Sequence, residues 1–273
     1  GEKLEDDENL GDYKKLKIEK LKIENIKINI ILPYNGNCIE IENTEELIDI
    51  VNDIKKKSGD TVGGGKTFFK TVYEKKRKKV PIQIFLSEPN YKGFYYNEKQ
   101  IEDTKNLVKK YKLEIYVHGP YIFNLSNPST RNISEMKKYL IVSNDIKAKG
   151  VIFHVGKSVK MPINEALKNM SEIIEECLQF STENCPFLLE TPAGVGTETL
   201  TIIEDFISFV TQMNNYSMKK YKQKRFGICL DTAHIFSLDY LPVDYLNRIL
   251  YDKKKKKSEI SSLLKVIHFN DSK

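Results

Sequence analysis

Apolar runs that end in a reactive side chain recur at even intervals along this chain. Phe226 to Leu230 is short, apolar and free of turn residues, the pattern of a buried strand. Asp231 closes it, with His234 three residues beyond. The same pattern runs from Leu113 to Val117 into His118, from Gly150 to Phe153 into His154, from Pro186 to Leu189 into Glu190, and from Leu264 to Ile267 into His268. Successive terminal residues are 36, 36, 41 and 37 positions apart. That is room for one strand, one helix and two loops, the repeat of a (β/α) barrel. Helical spacing of apolar residues fills the intervals: Glu98 to Lys112, Ser134 to Lys149, Asn164 to Phe180, Thr199 to Met213, and a helix beginning at Leu241. Val80 to Leu86 reads as a further strand of the set, with Ser87 to Tyr96 as its rim loop.

Upstream the pattern changes. From Tyr13 charge alternates with Leu and Ile at nearly every second position, which favours extended structure. The first strand is then Ile26 to Leu32, or a segment nearer Thr61. Pro33 to Cys38 reads as a turn-rich loop, and Asn43 caps a helix running to about Lys57. Gly1 to Asp12 is acidic and reads as disordered. The predicted organisation is a charged extension over 1–25 and a TIM barrel over 26–273. The fold class is α/β, a (β/α)8 barrel with seven countable strands, so an eighth is expected to be lacking and two edges to stand open.

Composition narrows the class without naming a function. The chain has 273 residues, 40% hydrophobic and 30% charged, which suits one barrel-sized core. No apolar run is long enough for a bilayer and no signal-peptide pattern opens the chain, so a soluble intracellular monomer is expected, in the nucleus or an organelle as readily as elsewhere. Cys38, Cys177, Cys185 and Cys229 lack CxxC spacing, and reduced thiols are expected. The net charge of +6 suits a polyanionic partner. Ser58 to Thr67, SGDTVGGGKT, falls short of a phosphate-binding loop, because the first glycine should stand at Asp60. The lysines from Lys253 to Lys257 read as a solvated loop.

The strand ends carry the chemistry. All four histidines, His118, His154, His234 and His268, fall at or just past them, with Glu190 and Asp231 between. A carboxylate at the end of a buried strand requires a positive partner, and one rim collecting four imidazoles and two carboxylates points to bound metal. Nitrogen and oxygen donors favour zinc, with manganese or iron as alternatives; no thiolate is placed to join them.

YVHGPYIFNLSNPS, VIFHVGK, LLETPAGVGTE, GICLDTAHIF and VIHFNDSK, in that order, resemble the signatures of the endonuclease IV family of zinc-dependent AP endonucleases in DNA repair. The resemblance covers roughly 81–273. It implies that His118, His154 and Glu190 bind one zinc, that Glu190 bridges to a second held by Asp231 and His268, and that His234 belongs to a third. Glu190 and Asp231 would be the catalytic carboxylates. The implied reaction is hydrolysis of the phosphodiester 5′ to an abasic site in double-stranded DNA, leaving a 3′-hydroxyl. Tyr121 matches the position that enters the duplex at the gap, Asn124 matches a nearby polar contact, and Lys92 stands near where the family carries an arginine. The family continues to an Asp-x-His pair and a final strand-end glutamate not present in these 273 residues. A C-terminally truncated segment that cleaves poorly by itself is therefore expected. A sugar isomerase or epimerase on a related barrel and a non-catalytic DNA-binding remnant are the rival readings.

Overall fold

The structure is a computed structural model that describes residues 28–32, 37–41, 82–87, 97–251 and 257–269. Six parallel strands follow one another in chain order: β3 Ile82–Phe85, β4 Ile115–His118, β5 Val151–Phe153, β6 Phe187–Glu190, β7 Phe226–Asp231 and β8 Leu264–His268. Between them run α1 Glu98–Tyr111, α2 Thr130–Asp145, α3 Ile163–Cys177, α4 Ile203–Tyr221, the short α5 Thr232–Ser237 and α6 Pro242–Leu250. This is the TIM-barrel architecture that the even spacing predicts.

The ring closes where open edges were expected. β1 Ile28–Leu32 lies parallel to β8, and β2 Asn37–Ile41 turns back antiparallel to both β1 and β3. The stretch read as a loop as far as Cys38 thus enters a strand at Asn37. An antiparallel partner needs only a short connection. A further parallel strand is not among the described residues, and the hairpin occupies its place beside β3. The extension over 1–25, the Asn43 to Lys57 helix, the glycine-rich loop and the rim loop through Tyr96 lie outside the described residues, as do all but Lys257 of the lysine run.

Strand alternation sorts the side chains into two cores. Alternate positions on each strand, such as Ile115, Val117, Val151, Phe153, Phe187, Leu189, Ile228 and Leu230, pack outward against the helices in one large cluster. Tyr116, Ile152, Leu188, Cys229 and Val266, one from each of five successive strands, form a separate small cluster inside the ring. Two residues further along each strand stand His118, His154, Glu190, Asp231 and His268. Because the period is two, the candidate ligands share the inner face with that cluster and sit one layer above it.

Two helix starts differ from the sequence reading. α2 begins at Thr130, four residues before the expected Ser134, because the Ser129 hydroxyl accepts from the Asn132 amide and caps it there. α4 begins at Ile203 and continues to Tyr221. Thr199 is held in the preceding loop by its hydrogen bonds to the Gly156 carbonyl. No helix among the described residues is long and apolar enough to cross a membrane.

Candidate metal centre

Glu190 is the hub of the rim. It is 1% exposed, and four imidazoles from four rim positions surround its carboxylate. His118 Nε2 lies 3.2 Å and His154 Nε2 3.0 Å from Oε2; His268 Nδ1 lies 2.6 Å and His234 Nδ1 3.8 Å from Oε1. His118, Glu190 and His268 each offer a donor atom with all three atoms within 4.8 Å of one another, and so do Glu190, Asp231 and His234.

Asp231 divides its two oxygens between fold and site. Oδ1 accepts from the amides of Ala233 and His234 at 2.8 and 2.9 Å, capping α5 where β7 ends. Oδ2 is left to face His268 Nδ1 at 3.6 Å. The cap also explains why His234 returns to the rim: one helical turn carries it back over β6, where Nδ1 donates to the Thr191 carbonyl at 2.9 Å.

The electrostatics follow from burial around one carboxylate. Burial by itself would raise the Glu190 pKa, but the charges of His154 and His268 and the hydrogen bonds from His118 and His154 hold it well below the usual carboxylate range. Burial pushes His118 below the ordinary histidine value, outweighing its bond to Glu190. For His154 the pull of Glu190 overcomes burial and raises the value. His268 is raised well above it in the same way, against its own burial. The neighbouring Cys229 thiol, pushed up to about 12 by burial, is neutral at physiological pH, so the carboxylates of Glu190 and Asp231 are the source of that pull.

The donor set fits a divalent cation. His268 turns Nδ1 to Glu190 and Nε2 to the Gln83 side-chain oxygen at 2.9 Å. His118 turns Nε2 to Glu190 and Nδ1 to the Gly119 carbonyl at 2.7 Å. A neutral imidazole carries one N–H, so with both nitrogens facing oxygen each ring is either protonated or aims a lone pair at the carboxylate. A cation held among these atoms satisfies the lone pairs and the carboxylate together.

Around this centre the rim places the other predicted residues differently. Tyr121 stands at the lip, 48% exposed, its ring 5.4 Å from that of His118, 5.3 Å from His154 and 5.8 Å from Phe85. Asn124 is committed within the protein. Its Oδ1 accepts from the Lys157 and Ser126 amides at 2.7 and 2.9 Å and its Nδ2 donates to the Lys157 carbonyl, tying the loop after β4 to the loop after β5. Lys92 lies outside the described residues. Gln83 was not anticipated, although one signal was available: it is the lone polar residue inside the apolar run from Val80 to Leu86 and needs a partner if buried.

A parallel barrel with imidazoles and carboxylates gathered at the C-terminal ends of its strands is a TIM barrel with a candidate metal centre at the face where such barrels act. The chain belongs to the xylose isomerase-like TIM barrel family, whose model matches residues 82–273, and within it to the endonuclease IV group. It is 30% identical over 199 residues to "Probable endonuclease 4" of Mycoplasmopsis pulmonis, a match covering 70% of this chain and 67% of that protein. The crystal structure of endonuclease IV from Thermus thermophilus superposes with a TM-score of 0.54 at 14% identity, over 78% of this chain and 90% of that one. A D-tagatose 3-epimerase-like protein superposes with 0.52 at 16% identity, over 77% and 88%. These two likenesses show the fold. The chain spans about two thirds of the length of the curated relatives it matches.

Proposed function

We propose that this chain carries the zinc-dependent centre of an AP endonuclease of DNA base excision repair, hydrolysing the phosphodiester 5′ to an abasic site. The observation that supports it most is the convergence on one buried carboxylate of four imidazoles from separate rim segments. His118, His154, Glu190, Asp231 and His268 would hold ions at the rim, with Glu190 shared among them, and His234 would serve a further one. Zinc suits nitrogen and oxygen donors in this number. Divalent ions at such a site supply charge to offset that of the phosphodiester and make water acidic enough to attack it at neutral pH.

The chain's own groups set the geometry of the step. Glu190 and Asp231, both buried, place negative charge so that cations collect between them, and the imidazoles close the sides of that space. Tyr121 offers its half-exposed ring beside the centre, where stacking into the gap left by a missing base offsets part of the cost of extruding the damaged nucleotide. Its hydroxyl stays neutral, since burial and the Glu190 charge raise its pKa. The net charge of +6 favours approach to DNA.

The test is single-turnover incision of a duplex carrying one abasic-site analogue, with the protein in excess and zinc supplied. Slow incision 5′ to the lesion with a 3′-hydroxyl product, abolished in Glu190→Gln, is the expected result. Zinc uptake with epimerisation of a ketohexose and no incision would favour the sugar-enzyme reading. Lesion-specific DNA binding with neither zinc uptake nor incision would favour a binding remnant.

A further inference from the structure

We infer that Gln83 is a positioning residue for the centre: its side-chain oxygen fixes which nitrogen of His268 faces the metal. The inference rests on the metal-centre reading above and names a residue outside the six candidate ligands.

Gln83 lies on β3, in register with Tyr116 of β4, while Phe85 is in register with His118. It therefore belongs to the layer beneath the ligands, with Tyr116, Ile152, Leu188, Cys229 and Val266. From there it reaches across the barrel to β8, on the far side of the β1–β2 hairpin, and meets His268 Nε2 at 2.9 Å. An amide oxygen only accepts, so Nε2 must carry the hydrogen. In the neutral ring that a cation would bind, Nδ1 is then the nitrogen with the lone pair, and it is the one aimed at Glu190, 2.6 Å away, and at Asp231, 3.6 Å away.

Two of the other rings are set by backbone. His118 Nδ1 is held by the Gly119 carbonyl and His234 Nδ1 by the Thr191 carbonyl, which no substitution removes. His268 alone among these three depends on a side chain, so its orientation can be changed by mutation. Losing such an outer partner loosens the ring and lowers ligand basicity, with a fall in metal affinity of about 10-fold to 100-fold.

The experiment measures zinc affinity by competition with a chromophoric chelator for the wild type, Gln83→Met and Gln83→Glu, with far-UV melts of each metal-free protein. Methionine keeps length and removes the strong acceptor; glutamate restores an acceptor. Gln83→Met is expected to bind zinc about 10-fold or more weakly and Gln83→Glu to bind as well as the wild type. In the zinc-loaded wild type, nitrogen-edited NMR of the imidazoles should show His268 as the Nε2–H tautomer. Equal affinity in Gln83→Met with unchanged His268 signals overturns the inference and leaves the metal centre standing. Equal losses in the folded methionine and glutamate variants also overturn it, because Gln83 then acts by packing. A wild type that takes up no zinc sinks the metal-centre reading itself. If Gln83→Met does not fold, Gln83→Leu takes its place under the same criteria.

Discussion

The two faces of the barrel wall obey different rules. Outside, apolar side chains from the strands meet apolar stripes on α2, α3, α4 and α6 in a continuous core. Inside, the apolar layer is one residue deep per strand, and two positions later the same face turns to imidazole and carboxylate. The outer face can lose a methyl group anywhere and remain a core. The inner face is an arrangement of single donor atoms gathered around Glu190.

That contrast predicts where damage appears. The largest effect is expected at the hub: Glu190→Gln should lower zinc affinity by more than the roughly 100-fold upper figure for an outer partner, while far-UV circular dichroism shows the fold intact. A variant that keeps its zinc would end the distinction between the faces. On the outer side, Phe187 stacks between Phe153 at 4.7 Å and Phe226 at 6.1 Å. Phe187→Ala is expected to cost about 3–5 kcal/mol in denaturant melts, with unchanged zinc stoichiometry in the folded protein.

Asn124 tests the seam between two rim loops. Asn124→Ala leaves two amides without their acceptor and should cost about 1–3 kcal/mol; its effect on DNA affinity of the folded protein should be small beside that of Tyr121→Ala. The reverse order would give Asn124 the DNA contact that the family resemblance implies.

The smallest effect is alkaline. Burial pushes the Cys177 and Cys185 thiols from 9.0 up to about 12. With the folded values raised, their contribution is complete below pH 9 and is lost as pH climbs from there towards 12. The loss reaches about 1.4 kcal/mol per thiol by about pH 10. Denaturation at about pH 8 and about pH 10 should show it, and Cys177→Ala with Cys185→Ala should shrink the difference. Both thiols should also resist labelling in the native protein, and rapid reaction at mildly alkaline pH would contradict their burial.

What was legible in the sequence follows the same divide. The parallel strands announced themselves because a strand buried on both faces is nearly all apolar, and the candidate ligand stood where the run broke. The start of α4 was less legible, since Thr199 is held by hydrogen bonds to the distant Gly156 carbonyl. β2 was missed because five residues, NCIEI, following a turn give too short a pattern to outweigh Pro33 and Gly36. The six donors could be chosen from type and position. Their distances, the double use of Asp231 as cap and candidate ligand, and the reach of Gln83 depend on closing the ring, which no local pattern encodes.

Closure also sets a timetable. β1 and β8 touch along Asn29 to Ile31 and Val266 to His268, so the join waits until synthesis has carried β8 clear of the ribosome. Strand pairs such as β5 with β6 are separated by a single helix and can form early. The last pairing brings together distant segments and carries the largest loop-closure entropy. His268 arrives with it, so a nascent chain that has not reached β8 cannot complete the nest around Glu190.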